Sequence, residues 1–138
     1  MAGNGRSGAA VLLAALLAAG AANAQAVSRN EVLGAWTLKM TPVEGGNVTI
    51  RTDTGRLEMP VTVTARGASG IACVVDGEAA DCRLNRGALV ITLRLDDARI
   101  AYTLNGRRGA GLTGTARISY RLLPFGSMHL GAADLTRR

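Results

Sequence analysis

Between Leu89 and Leu95 the chain reads Leu-Val-Ile-Thr-Leu-Arg-Leu, with Leu89, Ile91, Leu93 and Leu95 on one side and Thr92 and Arg94 on the other. A period of two is the spacing of a β-strand with one buried face. The alternation recurs at Ile100, Tyr102 and Leu104. It recurs again where Leu112, Ala116, Ile118, Tyr120 and Leu122 oppose Thr113, Thr115, Arg117, Ser119 and Arg121, and briefly over Val61–Thr64. No window after residue 26 carries a helical period. The chain is all-β.

Turn chemistry interrupts these stripes at short intervals: Glu44-Gly45-Gly46-Asn47, Asp53-Thr54-Gly55, Arg66-Gly67, Asp76-Gly77, Asn85-Arg86-Gly87, Asp96-Asp97, Asn105-Gly106 and Pro124-Phe125-Gly126. Gly, Asn and Asp tolerate the positive φ of tight hairpins, and short connections between neighbouring strands impose an antiparallel meander. About eight strands result, at 33–41, 46–52, 57–66, 70–76, 79–85, 88–96, 98–105 and 111–122, with a last one near 127–136. Strands with one apolar face each close most simply into an up-and-down barrel, which leaves no exposed edge. A two-sheet β-sandwich is the competing architecture. A barrel in a membrane would turn its apolar residues outward between aromatic girdles. Here the faces opposite the apolar stripes carry Thr, Ser and Arg, so stable membrane insertion is not expected.

The first residues address compartment. Arg6 precedes an uncharged run from Ala9 to Ala19, followed by Ala22-Asn23-Ala24 and Ala24-Gln25-Ala26, two small-x-small cleavage sites. That layout is a secretory signal peptide over residues 1–26, and it predicts a periplasmic or secreted protein. Taking 26 residues from the 138 leaves 112, residues 27–138, the length of one domain.

Beyond residue 26 there are 15 basic side chains, all Arg except Lys39, against 10 acidic ones. The arginines are scattered singly apart from Arg107-Arg108 and Arg137-Arg138, and only four aromatics remain to stack on bases. A solvated basic surface is expected rather than a nucleic-acid site, with anionic membranes or acidic polymers as incidental partners. Oligomeric state has no signature in the chain.

Gly34-Ala35-Trp36, at the start of the first strand, resembles the Gly-x-Trp of the calycins, the lipocalin-like superfamily of antiparallel barrels. The cadence that follows, through "GLTGTARI" to a closing strand ending in Arg, is similar to small exported bacterial calycin-like proteins of unknown role. The resemblance implies that Trp36 closes the barrel base and that Arg137 (or Arg138) packs across its indole. Gly34, Trp36 and Arg137 are thereby assigned a structural role.

Cys73 and Cys82 are the only cysteines. With Gly77-Glu78 at the centre of a type II′ turn, 76 pairs with 79 and 73 falls opposite 82 in a non-hydrogen-bonded position, close enough for a disulfide. An even count in an oxidising compartment agrees.

Catalytic and metal constellations are not found, and no cofactor is implied. His129 is the single histidine, Asp96-Asp97 reads as a hairpin tip, and the glycines of Gly106–Gly111 precede no helix and lack a Lys-Ser/Thr. Asn47-Val48-Thr49 matches a glycosylation sequon and nothing more. Three functions remain. A non-enzymatic barrel binding a small apolar ligand would line its site with Leu93, Ile100, Tyr102, Ile118 and Tyr120. An interaction protein, such as the calycin-like inhibitors of secreted proteases, would act through an N-terminal stretch, here Gln25 to Asn30. A small barrel isomerase or cyclase would need only a shaped pocket. An enclosed apolar void of about 300 Å³ or more separates the first and third from the second.

Overall fold

A computed structural model describes residues 26–43, 57–122 and 126–138. A short helical turn, α1 (Arg29–Val32), precedes eight antiparallel strands: β1 (Gly34–Pro42), β2 (Glu58–Arg66), β3 (Gly70–Val75), β4 (Glu78–Asn85), β5 (Ala88–Arg94), β6 (Ala98–Arg108), β7 (Gly111–Tyr120) and β8 (Ser127–Arg137). Each strand pairs with its neighbours in sequence, and β8 returns to β1, so the sheet closes into an up-and-down barrel. The sandwich is thereby excluded. The run up to Gln25 expected to be a signal peptide, the strand expected at 46–52, the turns between Glu44 and Gly55 and the turn residues Pro124 and Phe125 lie outside the described residues.

The alternating stripes point inward as their period requires. Leu89, Ile91 and Leu104 are fully buried, with Trp36, Leu38, Val61, Leu112 and Leu135, and among the described residues no charged side chain is buried. Thr62, Thr64, Lys39, Arg99 and Arg117 face outward, the reverse of a lipid-facing barrel. Among the described residues no helix is long and apolar enough to cross a membrane.

Three local readings of the sequence are corrected. The β3–β4 hairpin turns on Asp76-Gly77, not Gly77-Glu78: Val75 pairs with Glu78 and Cys73 with Ala80. Both turn residues take positive φ, 52° and 84°, the type I′ geometry that matches strand twist, and Asp supplies the first position because its short side chain tolerates it. Second, Asn105-Gly106 is not a turn. It is an irregularity inside β6, where the register shifts between Leu104 and Gly106, and the strand continues to Arg108. Third, the segment before β1 contains a helical turn. Ser28 and Glu31 have the spacing of a capping box, and the Ser28 amide donates to the Glu31 carboxylate at 2.9 Å.

Candidate functional site

Trp36 has a neighbour on every side. The indole is 1% exposed. Its Nε1–H donates to the Val32 carbonyl at 2.9 Å, and the Arg137 guanidinium lies 4.1 Å from the ring centroid. The same guanidinium donates to the carbonyls of Leu33 at 2.8 Å and Glu31 at 2.7 Å, groups that the end of α1 leaves without helical partners. Arg137 therefore joins three things: the last strand, the indole and the helical turn. The glycine of Gly-x-Trp follows from this contact. Gly34 has φ +128°, and a Cβ there would stand 2.6 Å from Arg137 Nη1. Any other residue would be strained and would displace the guanidinium.

The rest of the N-terminal segment is fastened across the same end, here called the base. The Val27 amide donates to Gly87 in the β4–β5 turn at 2.9 Å, and Val27 is buried. Arg29 inserts into the β2–β3 turn and donates to the carbonyls of Gly67, Ala68 and Gly70 at 2.9–3.0 Å. Arg107, at the end of β6, grips Glu31 with both arms of its guanidinium and donates to Ala26 O at 3.1 Å. The stretch from Val27 to Asn30, the candidate inhibitory tail, is thus part of the wall closing the base; Gln25 lies outside the described residues.

Hydrogen bonding from Arg107, with help from the Ser28 amide, holds the Glu31 carboxyl down at about 2. A carboxylate with a lowered folded value contributes stability above its unfolded value and loses it as the pH falls toward the folded one. The stability difference between the protein and Glu31→Gln should therefore be fully developed at pH 6, shrink below about pH 4.5 and be mostly lost by the time the pH reaches about 2. Urea unfolding of both proteins at several pH values measures it, and a difference constant from pH 6 to 2 would refute the pairing.

The inward rows show how the interior is filled. Across β5 to β8, Ile91 pairs with Tyr102, Tyr102 with Ala116, and Ala116 with Gly131. One rung lower Leu89, Leu104, Gly114 and Ala133 follow one another. In these two rows the large side chains of β5 and β6 continue into small residues on β7 and β8, which leaves room in the interior for a ring such as that of Tyr102. Gly114 and Gly131 also sit where backbones crowd: added Cβ atoms would lie 1.7 and 2.0 Å from the carbonyls of Thr103 and Thr41. Of the five residues expected to line a ligand site, Tyr102 (3% exposed) and Ile118 (6%) belong to this packed core. Leu93, Ile100 and Tyr120 are half-buried at the end opposite the base. Burial pushes the Tyr102 phenol up to about 12, which keeps it neutral and unavailable as a base. Two depressions stand out among the described residues, and Tyr120, one of the five expected residues, borders the second of them. One spans Thr37, Lys39, Glu58 and Pro60 on β1 and β2, and the other Arg94 to Arg99 with Ser119 to Arg121. Among the described residues no three metal-ligating side chains come together.

Cys73 and Cys82 form a disulfide with their Cα atoms 5.9 Å apart. Because Cys73 pairs with Ala80, the bridge runs diagonally to the residue two places further along β4 rather than straight across. Such a bond is compatible with an oxidising compartment.

Arginine placement could not be read from scatter along the chain. In a meander every second turn returns to the same end, so Arg66, Arg86 and Arg107, each about two strands apart, meet at the base. Comparison of the chain with protein-family models, curated proteins and solved structures finds no match.

Proposed function

We propose that this is an exported, periplasmic or secreted, non-enzymatic barrel of calycin-like type that works through its outer surface, as an interaction module. The observation that carries this reading is the burial of the interior: among the described residues the inward side chains from Trp36 and Val32 at the base up to Ile118 are nearly closed to solvent. A carrier of apolar ligands, or an isomerase working by pocket shape, needs an enclosed volume of about 300 Å³. Neither depression described above is an enclosed cavity, and the one bordered by Tyr120 has a mostly polar lining. An inhibitor working by a free N-terminal tail is also less favoured, since Val27 and Arg29 are committed to the base. The signal-peptide pattern and the disulfide support export.

Native mass spectrometry of the protein purified from its own cells tests the reading. The expected result is an apo mass, unchanged by a panel of fatty acids and aromatic compounds. A co-purifying hydrophobic molecule, lost on Tyr102→Trp without unfolding, would replace the module with a carrier.

A further inference from the structure

Charge is unevenly divided between the two ends of the barrel. Arg29, Arg107 and Arg137 spend hydrogen bonds on closing the base but keep their charge. Arg66, Arg86, Arg108 and Arg138 project from the same end and are exposed. Against these seven arginine side chains the described residues place two carboxylates there, Glu31 and Asp134, paired with Arg107 and Arg108 respectively. The opposite end carries Asp76, Glu78, Asp96 and Asp97 in and beside its turns, with Arg94, Arg99 and Arg121 among them. The net charge of the described residues is therefore concentrated on one face, and the barrel has a direction.

We propose that the basic end docks on an anionic, phosphate-bearing lipid surface; the proposal rests on the interaction-module reading and names its partner. Guanidinium groups match phosphate oxygens bidentately and stay charged at any physiological pH. The arginines surround the base rather than lining a cleft, which suits an extended surface more than a single small anion. A protein partner would seek an apolar or aromatic centre for its contact. Yet among the described residues the exposed large hydrophobics, Val43, Val74, Leu95 and Leu122, all lie away from the base. Trp36, the one aromatic near the base among the described residues, is buried and offers no face to a nucleic-acid base. What remains is attraction by charge alone, the mode by which polybasic surfaces hold to anionic headgroups without inserting. Arg86 shows how the sequence presents this charge. It occupies the first position of the β4–β5 turn at φ 51°, at the tip of a hairpin.

The test is co-sedimentation of the processed protein with phosphatidylglycerol–phosphatidylcholine vesicles and with phosphatidylcholine alone, at low and high salt. Binding is expected to the anionic vesicles only, and to weaken as salt screens the surface. Neutralising the base with Arg66→Gln, Arg86→Asn and Arg138→Gln together should lower vesicle affinity about a hundredfold, from the known contribution of each Arg near such a surface. Arg94→Gln, Arg99→Gln and Arg121→Gln remove the same total charge from the other end and should change it less than threefold. Equal losses for the two triples would overturn the proposal in favour of unspecific net charge. So would binding to neutral vesicles, or tighter binding to soluble polyglutamate or single-stranded DNA than to the vesicles. No vesicle binding with an apo native mass would remove the lipid partner but leave the interaction module. A stoichiometric lipid adduct unaffected by the base triple would remove the module itself.

Discussion

Replacing Trp36 by alanine should destabilise the protein by about 3–5 kcal/mol, the range for truncating a large buried aromatic. Several losses coincide at this residue. The apolar body leaves a cavity beneath the base, the Val32 carbonyl loses its donor, and Arg137 loses the π-face it lies against, worth roughly 0.5–2 kcal/mol. Trp36→Phe separates them, since it keeps most of the volume but not the N–H; it should cost clearly less. Denaturant unfolding measures both. In the intact protein the single tryptophan should emit at short wavelength and resist acrylamide, because only 1% of its surface is exposed. Arg137→Gln should shift that emission without unfolding the barrel. A water-like spectrum in the folded protein would contradict the closed base.

Why the Trp36 site was legible in the sequence and the rest of the base was not is a matter of what each signal depends on. Period-two stripes such as Leu89–Leu95 are local, because strand geometry alone decides which face a residue joins. Gly34 and Trp36 were legible through a short motif, and the structure supplies its physical cause in the space taken by Arg137. Arg29 had no such signal. Its three carbonyl partners lie 38–41 residues away in the chain, and nothing near Arg29 marks them. The pattern Ser28-x-x-Glu31 was available as a helix-start signal and would have found α1. Turn registers failed where residue type was read too narrowly. Asp76 and Arg86 both adopt positive φ, so a rule placing Gly first in the β3–β4 turn shifted the pairing by two residues. Asn105-Gly106 shows the converse: the same residue types serve an irregularity in mid-strand as readily as a turn. The arginine cluster became visible only once the meander was closed, since neighbours at the base are about twenty residues apart in sequence.

That register correction changes what the disulfide does. Cys73↔Ala80, Val74↔Ala79 and Val75↔Glu78 are the only ladder pairs between β3 and β4, the shortest pairing in the barrel. Every other neighbouring pair of strands has at least five. The bridge begins at the last of these rungs and reaches past it to Cys82, extending closure toward the base where hydrogen-bonded pairing has stopped. The N-terminal segment spans the same seam from below: Arg29 holds the β2–β3 turn on one side, and Val27 holds the β4–β5 turn on the other. The seam thus has one covalent and one non-covalent fastening. Reducing the bridge should cost roughly 2.5–3 kcal/mol for a loop this short and leave the barrel folded, because the other ladders and the core remain. Arg29→Gln alone should cost less, while the bridge holds the strands together. Reduction of Arg29→Gln should then cost more than the two effects added, by at least about 0.5 kcal/mol, since residues acting on one structural element couple where distant ones do not. Denaturant curves for the two proteins, each oxidised and reduced, close the cycle. Additivity within about 0.3 kcal/mol would mean that strap and bridge stabilise the barrel independently and that the β3–β4 seam is not its weak joint.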